Sequence, residues 1–222
     1  VAAARAVVGE EGVRHGGLMQ AHGTGTPQNR ITEAQIMSRT AQAFGIESWA
    51  VAALKCYLGH SLGSASGDQV TGTLGVWHHG VIPGITTIDG IAEDVCRYNL
   101  AFSIEHREVD PEQQKYAIIN SKGFGGNNAS ATMFSPAVTR KMLQARYSAS
   151  EWSAWERANE TVRERQQAYD DEMIAGTRAP VYKFDHGVLL DDDVEVGPYG
   201  MLVGGQPVQL DLQSPYDDMR ID

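Results

Sequence analysis

The sequence predicts an α/β layered domain over residues 1–135 and an α+β carboxyl-terminal extension over residues 136–222. Three observations carry that reading. From Val1 to Ser135, helical patterns alternate with short apolar strands, the signature of helices laid on a sheet. The strand-like segments end on polar residues, as strands do around the crevice of an α/β sheet. Past Pro136 the pattern changes to long helices followed by short pieces divided by Gly and Pro.

The Ala-rich stretch Val1 to Val8 reads as the end of a helix stopped at Gly9 to Gly12. "GLMQAH" is a buried strand that presents His22 at its end. After a Gly-Thr loop, Thr32 and Glu33 open the amphipathic helix "TEAQIMSRTAQAF", closed at Gly45. "WAVAALK" is the next strand and delivers Lys55 at its carboxyl end. "GHSLGSASGDQVTGTLGVWHHG" continues as a helix beginning at His60, although each Gly costs about 1 kcal/mol relative to Ala; close approach of another backbone is the expected reason. "YNLAFS", "YAIINSKGFG" and "NNASATMF" supply further strands. Residues 137–175 are helix-rich, with a capping box at Ser148 to Glu151 and a stop at Gly176. Trp152, Trp155, Val162, Tyr169, Met173 and Ile174 keep a loose helical spacing, which predicts a surface-packed helix. "PVYKF", "GMLVGG" and "QPVQLDL" are strand-like.

Composition narrows the class. At 222 residues and 42% hydrophobic, the chain is long enough to bury a core. A formal charge of −10 argues against nucleic acid as a partner, because phosphate neutralisation needs clustered Lys and Arg. Most of that charge lies on the extension and reads as a solvated face. Cys56 and Cys96 form no disulfide framework and fit free thiols in a reducing cytoplasm. No apolar run reaches the length of a membrane span. The first residue, Val1, falls inside a helical pattern, as expected of a segment cut from a longer chain.

The chemistry-bearing residues cluster at three strand ends: His22 in "AHGTGTP", Lys55 and His60 in "KCYLGH", and the loop "NSKGFGGNN" from Asn120 to Asn128. Taken singly, a His after a strand is more often a structural residue and a Gly-rich turn more often just a turn. In this order and with these flanks, the set resembles the carboxyl-terminal half of the β-ketoacyl-acyl carrier protein synthases, condensing enzymes with a layered αβαβα thiolase fold. The resemblance covers residues 1–135; the extension and the wording "GHSLGSASGDQ" are similar to a divergent group of larger bacterial synthases linked to initiation of fatty-acid synthesis.

The resemblance implies a decarboxylative Claisen condensation of an acyl thioester with malonyl-acyl carrier protein. The costly species is enolate-like. His22 and His60 match the two family histidines, neutral imidazoles that donate hydrogen bonds to the thioester oxygen as charge develops. A helix dipole at His60 would disfavour its imidazolium. Lys55 matches the family lysine, and Glu33 a glutamate near it with a buried ion-pair or water-holding role. The backbone N–H of Phe124 matches an oxyanion-hole donor, and Gly123, Gly125 and Gly126 give its mobile loop the required backbone angles. Thr24 and Thr26 match threonines that bind the phosphopantetheine arm. No cofactor is implied, since that arm, or coenzyme A, enters with the substrate. A homodimer and an acyl carrier protein or coenzyme A thioester as partner are implied as well; no membrane partner is. An acidic carrier would dock near Arg140, Lys141 and Arg146.

Lys122 and Asn127 depart from the family pattern, where Phe and Thr are usual, and "PQNRITEA" lacks a Gly-Asp pair before Glu33. The family nucleophile is a cysteine of the amino-terminal half. Strand alternation would turn Cys56 away from Lys55, so Cys56 reads as a core thiol, and Cys96 as structural. A reading of another class is a non-catalytic partner subunit that keeps the fold and binds the carrier. A metal site from His15, His22, His60, His78 and His79 has little support, because no metal-type spacing appears and His78 and His79 point to different sides of a helix.

Overall fold

The computed structural model describes residues 1–179, 181 and 185–210, and for Phe124 the backbone. It divides into two compact units, Val1–Glu156 and Arg157–Asp222.

The first unit is built on a five-stranded mixed sheet of β1 (Gly17–Gln20), β2 (Trp49–Ala52), β4 (Leu100–Ala101), β6 (Tyr116–Lys122) and β7 (Asn128–Phe134), in the order β4-β2-β1-β6-β7. The first four run parallel and β7 returns antiparallel to β6. Parallel neighbours need helical crossovers, which is why α2 (Pro27–Ala43) lies between β1 and β2 in the chain. The strands are too short to be selected by length. Their apolar residues instead alternate between two cores, as a strand's period of two requires.

One core joins Met19, Trp49, Val51, Tyr116 and Ile118 to Ala4 and Val13 of α1 (Ala2–His15) and Ala34, Met37 and Ala41 of α2. The other joins Leu18, Ala50, Ala52 and Ala117 to Val76 and Trp77 of α4 (Ala65–His79). Helices therefore cover both faces of the sheet. Trp49, Tyr116 and Leu18 are at most 1% exposed, and burying each such side chain is worth about 1.5–3 kcal/mol.

Several expected boundaries move. The first helix does not stop at Gly9; it kinks there, at φ 72° and ψ −179°, and resumes to His15. The second starts at Pro27, five residues before Thr32, because Thr26 is extended and Pro27 has its φ already set for a first helical turn. Beyond β2 the chain turns into a one-turn helix, α3 (Lys55–Leu58), so Lys55 and Cys56 are helical rather than strand residues. His60 precedes a 3-10 turn, Leu62–Ser64, and α4 begins only at Ala65. Close approach at α4 is confined to Gly72, where a Cβ would lie 2.1 Å from Leu54 Cδ1; the neighbour is a side chain, not a backbone. At Gly63, Gly67 and Gly75 a Cβ would meet nothing within 4 Å among the described residues.

A small β-pair, β3 (Val81–Ile82) with β5 (Arg107–Glu108), flanks the sheet in sequence. α5 (Pro136–Arg146) is capped by Ser135, whose side chain accepts from the Val138 N–H. α6 (Ala149–Ile174) opens on the expected capping box, the Ser148 N–H donating to Glu151 at 2.9 Å and the Glu151 N–H to Ser148 Oγ at 3.3 Å. None of its residues is fully buried; Trp152 is half-buried, with its ring centre 4.8 Å from that of Trp155 and 5.7 Å from Arg140.

In the second unit the remainder of α6 ends before Gly176, at φ 67°. Arg178 closes this end, 4.6 Å from the Tyr169 ring centre and 2.9 Å from Glu172. β8 (Val194–Gly197), β9 (Gly200–Val203) and β10 (Gln206–Val208) form an antiparallel meander. The expected strands at 200–205 and 206–212 correspond to β9 and, as far as it is described, β10. Residues 180 and 182–184 of the expected strand "PVYKF", and 211–212 of "QPVQLDL", lie outside the described residues.

Candidate active site

The carboxyl ends of β1, β2 and β6 open on a single cavity of about 1050 Å³. Its polar side carries His22, Lys55, His60, Glu33, Thr24, Thr26 and Lys122, with Gly123 beginning the loop beyond β6. Its apolar lining includes Met37, Val51 and Phe102 together with Ile85, Ile88 and Ile91 of the segment between β3 and β4. Arg30 of α2 holds that segment through both oxygens of Asp94, with Nε at 2.9 Å and Nη2 at 2.7 Å. The Tyr57 hydroxyl holds it from α3 through the Gly84 carbonyl.

His22 is the organising residue, only 5% exposed. Its backbone N–H donates to Glu33 Oε1 at 2.7 Å, and its ring Nδ1 accepts from the Lys122 N–H at 3.3 Å. An accepting Nδ1 places the ring proton of a neutral imidazole on Nε2. His60 is arranged in the same sense: its Nδ1 accepts from the Leu62 N–H at 3.1 Å, leaving Nε2 to donate. The two rings meet edge to face with centres 5.1 Å apart. A 3-10 turn separates His60 from α4, so the expected place at a helix start, on which the dipole argument rested, is not found, and the local hydrogen bond from Leu62 orients the ring.

Burial pushes the His22 pKa down, and the Lys55 charge adds to that shift, with Glu33 opposing. Burial likewise pushes Lys55 down, opposed by Glu33 and Asp68. The Lys55 Nζ is buried with no hydrogen-bond partner among the described residues.

Glu33 does not pair with Lys55 in an ion pair among the described residues. Its carboxylate, on a residue 3% exposed, accepts from four donors instead: the His22 and Gly23 N–H groups, Asn29 Nδ2 at 3.0 Å and Asn120 Nδ2 at 2.6 Å. It therefore fixes the backbone on which His22 sits. Thr24 and Thr26 stand on the following turn with hydroxyl oxygens 3.4 Å apart. Phe124 opens a 3-10 turn, Phe124–Gly126, in which Gly125 and Gly126 take φ of 76° and 82°. These angles suit glycine at 125 and 126, whereas Gly123, at φ −114°, is in extended backbone that any residue adopts and does not bear out the expectation made for it. Asn127 receives the Gly123 N–H on its carbonyl at 2.6 Å.

Cys56 corrects the alternation argument. On α3 it is half-buried and lines the same cavity as Lys55. Burial raises its thiol pKa, the opposite of what activates a nucleophile. Cys96 is partly buried against the α1–α2 core. Among the described residues, no group of three or more His, Cys, Asp or Glu is placed to hold a metal ion.

Residues 2–89 match the family model described as the β-ketoacyl synthase carboxyl-terminal domain. The whole chain aligns with the β-ketoacyl-[acyl-carrier-protein] synthase FabY of Pseudomonas aeruginosa at 40% identity, over 99% of this chain and 35% of that protein. The chain carries a β-ketoacyl synthase carboxyl-terminal domain. The crystal structure of the noncanonical ketosynthase FabY from P. aeruginosa superposes on it with a TM-score of 0.78 at 39% identity, covering 99% of this chain and 35% of that one. The 3-oxoacyl-[acyl-carrier-protein] synthase 1 of Escherichia coli K12 is 31% identical over 115 residues, 52% of this chain and 26% of that protein. The chain thus spans about a third or less of the length of these curated relatives. Its fold is the thiolase-like α/β layering of the ketosynthases, and the match to the divergent type extends through residues 136–222.

Sequence reasoning missed Gln69, which bridges two strands of the synthase domain. Buried on α4, it donates through Nε2 to the Ala21 carbonyl at 2.7 Å and the Asn120 carbonyl at 3.1 Å, tying β1 to β6 where the site begins. A signal was present: Gln69 shares a helical stripe with Ala65, Thr73 and Val76, all buried.

Proposed function

We propose that this chain supplies the carboxyl-terminal part of a condensing enzyme that joins an acyl thioester to malonyl-acyl carrier protein in fatty-acid or related polyketide synthesis. The observation that carries the reading is the His22–His60 pair, two imidazoles with Nδ1 occupied and Nε2 left to donate. Decarboxylation of malonyl thioester breaks the bond to the carboxylate carbon, releases CO2 and leaves the electron pair on an enolate. Two neutral N–H donors aimed at that oxygen stabilise charge as it develops, more strongly in a cavity with an apolar wall. Lys55 adds positive charge beside them.

The acyl group rests on a nucleophilic cysteine provided outside these 222 residues, since burial raises the Cys56 thiol pKa and Cys96 packs against the α1–α2 core and is not among the residues that line the cavity. Phe124 N–H serves the oxyanion of acyl transfer, and Thr24 and Thr26 hold the phosphopantetheine arm. The remaining proposals are a synthase half at 1–135 followed by an extension at 136–222, a cytoplasmic homodimer, and an acidic carrier docking on α5. There Arg140 is engaged by Glu156 at 3.4 Å and lies 5.7 Å from the Trp152 ring centre, so exposed Lys141 and Arg146 carry most of the docking charge.

The test is CO2 release from malonyl-carrier, with condensation scored separately, by the full-length polypeptide. Release by the native protein and its loss in His22→Ala support the reading. Absence of release from the native protein would overturn it.

A further inference from the structure

One residue reaches His22 by two routes. The Lys122 backbone N–H donates to His22 Nδ1 at 3.3 Å, while its ammonium donates to Asn29 Oδ1 at 3.0 Å and Thr32 Oγ1 at 3.3 Å on α2. Asn29, Thr32 and Glu33 lie at i, i+3 and i+4, hence on one face of that helix. Glu33 takes the His22 N–H from the same face. A single helical surface therefore grips both the histidine and the residue that occupies its Nδ1. Resting on the condensing reading above, we propose that Lys122 is a positioning residue for His22: its ammonium straps the end of β6 to α2, so that its N–H holds the imidazole in the Nε2–H form.

A phenylalanine, the residue usual at this place in the family pattern, could present the same N–H but could not bond to Asn29 or Thr32. The apolar alternative would leave the end of β6 to be held by packing. Here the strand end lies next to a glycine loop with two positive-φ residues, at which a Cβ would meet nothing within 4 Å among the described residues. The charged groups facing His22 are Glu33 from α2, Lys55 from α3, His60 from the segment before α4, and Lys122 itself from β6. Lys122 contributes a downward push on the His22 pKa. The hydrogen bond from its N–H acts in the same direction, because only the neutral ring can accept it.

The test compares native full-length polypeptide with Lys122→Met and Lys122→Arg. His22 protonation is read without reference to activity, from the pH dependence of histidine C2–H exchange in the peptide that contains it, by mass spectrometry. In Lys122→Met the His22 midpoint is expected to rise, the acid limb of malonyl-carrier decarboxylation to move up with it, and the rate to fall about ten-fold as the donor is misplaced. Lys122→Arg should restore both. A His22 midpoint and acid limb unchanged in Lys122→Met would overturn the proposal. Should that variant fail to fold, Thr32→Val removes one ammonium acceptor and should move the midpoint the same way by less; no movement there is equally contrary. If the native protein releases no CO2, the condensing reading fails while the exchange midpoint still reports whether Lys122 controls His22.

Discussion

His22 and His60 meet edge to face with ring centres 5.1 Å apart and planes at 80°, although 38 positions separate them in the chain. Neither ring bonds to the other. Each is aimed by its own backbone donor, Lys122 N–H for one and Leu62 N–H for the other. Two independently oriented donors that share one task should be individually costly to lose. His22→Ala and His60→Ala are each expected to lower malonyl-carrier decarboxylation by about 10²–10³-fold, as for removal of one oxyanion donor. The double variant should lose far less than the product of the two. Single-turnover CO2 release measures both.

The pH dependence follows from the sign of the His22 shift. Burial first, then Lys55, lowers its pKa below the ordinary 6.5. The neutral donor therefore survives to lower pH than an ordinary imidazole would, and the acid limb of decarboxylation should lie below 6.5. Stability follows the same sign. The unfolded chain takes up the proton more readily than the folded one, so His22 lowers stability as pH falls through about 6.5 toward the folded value. Denaturant midpoints measured on either side of that window, in native protein and His22→Ala, isolate the effect.

Glu33 makes a stability prediction. Its two oxygens accept four N–H donors, and glutamine offers one acceptor oxygen and an NH2 group that would face other donors. Glu33→Gln should cost about 1–3 kcal/mol and disorder the His22 turn. Chemical denaturation gives the cost, and histidine exchange reports the turn.

Two glycines of one helix should behave oppositely. Gly75 has open space at the Cβ position, and Gly75→Ala should gain up to about 1 kcal/mol from helix propensity. Gly72→Ala would press on Leu54 Cδ1, a side chain 8% exposed with little room to swing aside. Overpacking of about 1–3 kcal/mol should outweigh the propensity gain. Urea midpoints of the two variants decide the point.

Carrier docking tests the surface. Reversing Lys141 and Arg146 to Glu should weaken carrier binding and flatten the rise in KM with salt, leaving decarboxylation of a carrier-free malonyl thioester unchanged. Unaltered carrier affinity would remove α5 from the docking surface.

The layered core was legible because it rests on short-range rules. Alternation at Leu18/Met19, Ala50/Val51 and Ala117/Ile118 follows from the strand period, and the motif order AHGTGT, KCYLGH, NSKGFGG marked the strand ends that build the cavity. What escaped depends on three-dimensional partners. Strand alternation could not show that β2 ends at Ala52, and that single boundary moved Cys56 onto the cavity beside Lys55. Glu33 was legible as a buried acid, but its donors come from the turn after β1, from α2 and from β6, and only the closed sheet identifies them in place of Lys55. Gln69 looked like one polar residue in a small-residue helix until β1 and β6 brought their carbonyls to it.

The central claim is that His22 and His60 are neutral donors to a developing enolate. The most direct measurement is the single-turnover rate of ¹³CO2 release from malonyl-labelled carrier by the full-length polypeptide, native and with His22→Ala plus His60→Ala. A loss of at least about 10²-fold in the double variant, with the fold intact by circular dichroism, is the predicted result. A double variant that releases CO2 at the native rate would contradict the account.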